Sequence, residues 1–133
     1  MRTSGLQARL LILDDDRDIL NGTSRFFERH GFTVDCATER PAAETLATHN
    51  TYQCAIIDIA LDVPQGTEGL EMVPFLREHS PGTRIVVLTG SVLAGLPEAA
   101  FRHGADAFLS KPQRLADVER VIERLLGLGD EAS

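Results

Sequence analysis

The stretch Leu10-Leu11-Ile12-Leu13-Asp14-Asp15-Asp16 runs from four apolar residues directly into three carboxylates. Three later apolar runs also lead into a polar side chain, and these endings are Asp58, Thr89 and Lys111. Parallel strands deliver their C-terminal residues to one edge of a sheet, where open α/β folds bind their ligands. The sequence therefore predicts one crevice that gathers carboxylates, a hydroxyl and an ammonium group, a combination suited to phosphoryl chemistry.

Short apolar runs alternate with helical patterns along the chain, which is typical of βαβ units around a parallel sheet. Five such repeats predict an α/β fold with a central five-stranded sheet, and the near-continuous apolar runs indicate that helices cover both of its faces. The predicted strands are residues 9–13, 33–37, 54–57, 84–88 and 107–109. The predicted helices are residues 17–30, 41–49, 70–79, 97–103 and 115–126.

The length and composition fit one domain without a membrane segment. The chain has 133 residues, and its apolar runs are far shorter than the ~20 residues that a membrane helix needs. No export signal is visible near the start, so we expect a soluble, cytoplasmic protein without membrane insertion. Residues 8–128 are expected to form the domain, with flexible tails at 1–7 and 129–133.

Net charge and the rarer side chains exclude several other functions. With 13 basic and 20 acidic residues the net charge is −7, which opposes direct binding to nucleic acid. Cys36 and Cys54 lie within apolar runs, and we interpret them as small buried hydrophobes rather than disulfide partners or metal ligands. The histidines all fall at or near predicted helix C-termini, and we expect none of them to bind a metal. They are His30, His49, His79 and His103.

The carboxylates at the predicted edge require a cation. Two unit charges ~5 Å apart at an effective dielectric constant of ~20 repel by roughly 3 kcal/mol. Carboxylate, carbonyl and water oxygens are the ligands that Mg²⁺ prefers, and Mn²⁺ is an acceptable substitute. Asp58 stands alone at the end of its apolar run, which makes it the candidate nucleophile and predicts an aspartyl phosphate. Taken singly, Asp14, Asp15 and Asp16 also fit a helix N-cap, and Lys111 also fits a solvated surface lysine.

The order of an acidic pair, an aspartate, a threonine and a lysine at successive strand ends resembles the receiver domain of two-component response regulators. The resemblance extends from Arg9 to Leu126. It implies a flavodoxin-like (βα)₅ fold, doubly wound, with strand order 2-1-3-4-5. The motifs that carry it are Ile12-Leu13-Asp14-Asp15-Asp16, Ile56-Ile57-Asp58, Val87-Leu88-Thr89-Gly90 and Gly104-Ala105-Asp106-Ala107-Phe108-Leu109-Ser110-Lys111-Pro112.

The resemblance also implies the roles of individual residues. Asp58 is expected to be the phosphoacceptor and a metal ligand. The other expected ligands are Asp15 directly, Asp14 mainly through water, and the backbone carbonyl of Ala60. Thr89 and Lys111 are expected to bind the phosphoryl oxygens.

A switch and an unusual peptide bond are further implications of the resemblance. Thr89 is expected to move toward the phosphoryl group while the ring of Phe108 turns inward behind it. The Lys111–Pro112 bond is expected to be cis, although an X–Pro bond is cis in only about 5–6% of cases.

Two departures from the usual receiver pattern affect function. The loop that follows Asp58 is longer than usual by about three residues, as counted in the sequence, which puts local partner contacts in doubt. Ala60 and Ser91 are small and uncharged, at positions whose side chains border the attacking water in similar receivers. Because Ala60 cannot orient that water, we expect the aspartyl phosphate to be comparatively long-lived.

The resulting hypothesis is a phosphoacceptor switch and not an enzyme in the usual sense. A sensor histidine kinase or a histidine phosphotransfer protein would donate the phosphoryl group. Because no output domain follows the last predicted helix, the output would be a downstream protein effector, relay of the phosphoryl group or a phosphorylation-linked dimer, unless the sequence is a piece of a longer regulator. Two alternatives stay open: a receiver-like binding module that works without phosphate, and a small aspartyl-phosphate phosphatase with its nucleophile among Asp14-Asp15-Asp16. The phosphatase motif is incomplete, because Asp18 replaces its threonine or valine.

Overall fold

Five parallel strands in the order β2-β1-β3-β4-β5 form the centre of the computed structural model, which describes residues 8–59, 67–90 and 96–127. This order confirms the fold predicted from the sequence. The strands are β1 (Arg9–Leu13), β2 (Thr33–Ala37), β3 (Cys54–Ile59), β4 (Arg84–Thr89) and β5 (Ala107–Ser110). The helices are α1 (Arg17–Arg29), α2 (Arg40–His49), α3 (Thr67–His79), α4 (Leu96–His103) and α5 (Leu115–Leu125). Both predicted tails lie outside the described residues.

The central strands are slightly longer than predicted at the end that carries the polar residues. β3 continues through Asp58 to Ile59 because Asp58 pairs with Leu88 and Ile59 pairs with Thr89 in the parallel ladder. The predicted strands stopped before Asp58 and Thr89 because these side chains are polar. The backbone ladder does not depend on them.

Helices cover both faces of the sheet, and each face has its own apolar core. One core contains buried residues of α2, α3 and α4, including Ala43, Met72 and Ala100. The other contains buried residues of α1 and α5, including Phe27 and Ile122. Successive strand residues point to opposite faces, so every inner strand contributes to both cores. These two layers hold the strand ends in fixed positions.

The two cysteines differ in environment. Cys54 is fully buried in β3, as predicted, and neither cysteine forms a disulfide. Cys36 is exposed, so its prediction as a buried hydrophobe was wrong. The reason is that β2 is an edge strand, so the outer flank of its side chains has no neighbouring strand to cover it. Although Cys36 is exposed, partial loss of solvent around its sulfur and the nearby acidic residues Glu28 and Asp35 raise the pKa of the thiol, while a hydrogen bond with Ser24 acts in the opposite direction.

Arg77, in the last turn of α3, ties together the ends of the elements opposite the polar edge. Its Nε donates to the carbonyl of Gly104 at 2.8 Å and its Nη1 to the carbonyl of Thr83 at 2.8 Å. Its Nη2 forms an ion pair with Asp106, whose carboxylate also accepts the N–H of Ile85 at 2.8 Å. Gly104 has a φ of 116° and a Cβ there would lie 2.5 Å from Arg77 Cγ. This contact explains why a glycine is needed at the end of α4.

None of the described helices combines the length and the apolar character that crossing a bilayer requires.

Candidate functional site

The carboxyl edge of the sheet brings the predicted polar residues together. Asp14 directly follows β1, Asp58 lies near the end of β3, Thr89 ends β4, and Lys111 directly follows β5. β1 pairs with β3, β3 with β4, and β4 with β5, so these four residues occupy adjacent positions along one edge. The backbone N–H of Asp14 donates to the carbonyl of Ala37 at 3.1 Å, which extends the β1–β2 pairing to the site.

Asp58 lies at the centre of the site. Its side chain is only 10% exposed and forms an ion pair with the ammonium group of Lys111, whose side chain is 30% exposed. Asp14 lies beside it, is buried, and accepts the backbone N–H of Asp16 at 2.9 Å. One ammonium group therefore serves one buried carboxylate and one that is largely buried.

The electrostatics of the two carboxylates are unfavourable without a further cation. Burial, opposed by the hydrogen bond from the N–H of Asp16 and reinforced by the charge of Asp58, raises the pKa of Asp14 from 3.8 to about 7. Burial alone would lower the pKa of Lys111, but its hydrogen bond to Asp58 and the charges of Asp58 and Asp14 outweigh burial and raise it. Asp14 thus retains a proton more readily than an ordinary aspartate.

This donor set fits a hard divalent cation. A cation beside Asp14 would offset the burial and the neighbouring charge of Asp58, which raise the pKa of that carboxyl, and carboxylate oxygens suit Mg²⁺ or Ca²⁺. Among residues 8–59, 67–90 and 96–127, no three His, Cys, Asp or Glu side chains are arranged as a metal-binding group. Asp15, the predicted direct ligand, is exposed. Ala60, the predicted carbonyl ligand, lies outside the described residues.

The third aspartate of the acidic run has a structural role. Asp16 is the N-cap of α1, and its side chain accepts the N–H groups of Asp18 at 3.0 Å and Ile19 at 3.1 Å. A capping interpretation of the acidic run therefore holds for Asp16. It does not account for Asp14, whose carboxylate is buried beside Asp58.

Thr89 and Phe108 lie on the same face of the sheet. Thr89 is fully buried, and its hydroxyl donates to the carbonyl of Ile59 at 3.1 Å. Phe108 pairs with Val87, two residues before Thr89, so both side chains point to the face covered by α2, α3 and α4. The ring of Phe108 is partly buried against that core. The predicted switch pair is therefore placed on neighbouring strands with a shared face.

The segment after β5 places Lys111. The N–H of Lys111 donates to the carbonyl of Thr89 at 2.7 Å. The Lys111–Pro112 peptide bond is cis, which is the isomer that the resemblance implied. Ser91, the second position predicted to tune dephosphorylation, lies outside the described residues, as does most of the lengthened loop after Asp58.

An apolar cleft of about 220 Å³ opens beside Asp58 and Lys111. Its lining includes Ile19 of α1 together with Leu115 and Val118 of α5. Ile19 is 46% exposed, which is high for a large apolar side chain. Ile19 carried no prediction, although an isoleucine in the first turn of a helix, next to an acidic N-cap, was a visible signal in the sequence.

Comparisons with known proteins identify the family of this chain. The family model described as the response regulator receiver domain matches residues 10–123. The photosynthetic apparatus regulatory protein RegA of Rhodobacter capsulatus is 36% identical over 126 residues, covering 95% of this chain and 65% of RegA. The chain thus spans just under two thirds of the length of this relative.

Two solved structures share the fold. A response regulator protein from Burkholderia pseudomallei, whose crystal structure contains a phosphorylated aspartic acid, a calcium ion and citrate, matches with a TM-score of 0.81 and 25% identity over 91% of this chain and 69% of that one. A CheY-like response regulator receiver domain protein from Methanospirillum hungatei JF-1 matches with a TM-score of 0.83 and 28% identity over 90% and 94% of the two chains. The chain therefore belongs to the response regulator receiver domain family, the phosphoacceptor regulatory domains of two-component signalling.

Proposed function

We propose that Asp58 accepts the phosphoryl group and that Mg²⁺ assists at this site. The observation that carries the proposal is the largely buried carboxylate of Asp58, ion-paired with Lys111 and adjacent to the buried Asp14. Asp15 would bind the metal directly, as would Asp58 and the carbonyl of Ala60, and Asp14 would act mainly through water. Domain boundaries at 8–128 belong to the same proposal.

The reaction needs a carboxylate oxygen of Asp58 to attack phosphorus while the bond from phosphorus to the donor atom breaks. A bound divalent cation supplies charge neutralisation for the phosphoryl oxygens. Lys111 already contacts Asp58 and would transfer its hydrogen bond from the carboxylate to a phosphoryl oxygen. The Thr89 hydroxyl would exchange the carbonyl of Ile59 for the phosphoryl group. The phosphorylated form therefore favours a different position of Thr89 from the resting form.

The partners follow from the family. A receiver takes its input from a histidine kinase or a histidine phosphotransfer protein and acts on a downstream effector, and we propose both for this chain. A dimer that forms on phosphorylation is one form that this output would take. The cytoplasm, where such kinases present their phosphohistidine, is the proposed location.

The proposal is tested by intact-protein mass after incubation with acetyl phosphate. With Mg²⁺ present we expect the mass of one phosphoryl group to be gained, and with EDTA in place of Mg²⁺ we expect no gain, because the neighbouring carboxylates of Asp14 and Asp58 repel an anionic donor. Parallel reactions with Mn²⁺ and Ca²⁺ compare how well each cation supports the gain of a phosphoryl group. Equal gain in EDTA would contradict the metal requirement. No gain by the folded protein, from acetyl phosphate or from a histidine kinase, would favour a binding module that works without phosphate.

Ala60→Asn is expected to shorten the lifetime of the phosphorylated protein by a factor on the order of ten, because an amide there can orient the attacking water. The measurement is the decay of the phosphorylated mass after the donor is removed. Ala60→Val is the matched control, since it adds size without a polar group and is expected not to hasten decay. Equal decay rates for the asparagine variant and the unmutated protein would refute the hypothesis.

A further inference from the structure

The apolar cleft beside Asp58 is a feature of the site that phosphoryl transfer alone does not require. Strand residues Ile12, Ile56 and Leu88 line it, and they belong to the core on the face covered by α1 and α5. Asp58 lies two residues after Ile56 on β3, so its side chain points to the same face. Asp58 and Lys111 line the cleft too. A molecule held here therefore lies against the two residues that are proposed to meet the phosphoryl group.

The cleft has room for one aromatic ring. Its volume is about 220 Å³, and an apolar cavity of about 150 Å³ is large enough to bind benzene. Ile19 of α1 and Leu115 of α5 form part of its walls, and neither side chain is fully buried. An occupant that covers these side chains removes apolar surface from water, which favours an apolar occupant.

The charges of the cleft favour an occupant whose apolar part carries no charge. Asp58 and Lys111 are paired with each other, and Asp14 contributes a further carboxylate to the lining. An additional anionic group would be repelled by Asp14. A charged group of either sign would also lose its water against the isoleucine and leucine side chains.

We infer that this cleft selects among small-molecule phosphodonors, and that the preferred class is an acyl phosphate with an uncharged apolar acyl group, such as benzoyl phosphate. The inference rests on the proposed role of Asp58 as the phosphoacceptor. A carboxylate oxygen of Asp58 bonds to phosphorus while the bond from phosphorus to the bridging oxygen breaks. The acyl group leaves as benzoate, which keeps the electron pair of that bond.

The position of the leaving group places the ring within reach of the cleft walls. In-line transfer puts the leaving oxygen on the far side of phosphorus from Asp58, and the acyl group is bonded to that oxygen. Rotation about the bonds of the oxygen turns the ring toward Ile19 and Leu115. The methyl group of acetyl phosphate covers much less of this surface, so benzoyl phosphate is held more tightly.

The test is the initial rate of phosphoryl gain, followed by intact-protein mass with Mg²⁺, at a series of low concentrations of each donor. We expect the second-order rate constant to be about tenfold larger for benzoyl phosphate than for acetyl phosphate. 4-Carboxybenzoyl phosphate has the same ring and one more negative charge, and it should lose most of this advantage.

Ile19→Ala and Leu115→Ala should each lower the ratio of the benzoyl to the acetyl rate constant at least about threefold, because each removes part of a wall. Comparing this ratio between proteins cancels the different reactivity of the two donors and any general loss of activity. Phe101→Ala is the matched control. Phe101 is 50% exposed, lies on α4 outside the lining of the cleft, and its loss should leave the ratio unchanged.

Equal rate constants for the two donors, or a ratio that neither cleft variant lowers, would overturn the inference while leaving Asp58 as the phosphoacceptor. Absence of phosphoryl gain from both donors would instead overturn the proposed function, and the inference with it. The two failures are therefore distinguishable by the reaction with acetyl phosphate.

Discussion

Asp58→Asn is expected to abolish phosphoryl incorporation, so that the protein gains no mass from acetyl phosphate with Mg²⁺. The amide is a far weaker nucleophile than the carboxylate, and the variant also loses one charge of the proposed metal site. The fold should persist, because Lys111 retains the neighbouring carboxylate of Asp14 and its backbone hydrogen bond to Thr89. Circular dichroism of the variant establishes this before the mass measurement.

Asp16→Asn is the matched control for this experiment. It removes the same charge from the same edge of the sheet, and asparagine caps a helix about as well as aspartate does. We expect it to gain one phosphoryl group with Mg²⁺. If Asp58→Asn gained a phosphoryl group as readily as this control, the nucleophile would have to be another residue.

The polar edge could be predicted from the sequence because each of its residues follows its own apolar run. Strand periodicity placed Asp14, Asp58 and Lys111 at strand ends without any long-range information, and parallel pairing then brought them together. The same reasoning did not distinguish their environments. It predicted no difference in burial between Asp14 and Asp15, whereas Asp14 is buried and Asp15 is exposed.

Features that depend on packing between distant segments were not predictable. The contacts of Arg77 with Gly104 and Asp106 join residues 27 and 29 positions apart, and no local pattern indicates which arginine makes them. The exposure of Cys36 follows from the position of β2 at the sheet edge, which the implied strand order contained but the apolar run around Cys36 did not reveal. Local patterns therefore predicted the elements, and the pairing of elements determined which side chains are buried.

Asp14→Asn is expected to stabilise the metal-free protein while weakening its site. Burial and the charge of Asp58 raise the pKa of Asp14 from 3.8 to about 7, so between these values the folded chain holds a proton that the unfolded chain releases. The stability from this group is fully present below pH 3.8 and is lost as the pH rises through about 7. Asparagine carries no charge, so at about pH 8 the free energy of unfolding should increase by about 1 to 3 kcal/mol.

The amide suits this position because its oxygen can still accept the N–H of Asp16, and its nitrogen can donate to Asp58. Urea unfolding without metal at about pH 8 and about pH 4 measures the effect, and the difference between variant and unmutated protein should shrink at the lower pH. Asp16→Asn, which removes an exposed charge, should show little change at either pH. Loss of stability in Asp14→Asn at about pH 8 would refute the argument that the ionised carboxylate of Asp14 destabilises the metal-free fold.

Asp14→Asn should stabilise the metal-free protein but weaken metal binding. If Asp14 holds the ion through water, as proposed, its removal is expected to lower the affinity for Mg²⁺ by about 10- to 100-fold. Mg²⁺ should therefore stabilise the unmutated protein more than the variant, since only binding to the folded chain contributes. A variant that is more stable alone and binds Mg²⁺ more weakly would show that Asp14 is retained for the site at a cost to the fold. If Mg²⁺ stabilised both proteins equally, Asp14 would have no part in holding the ion.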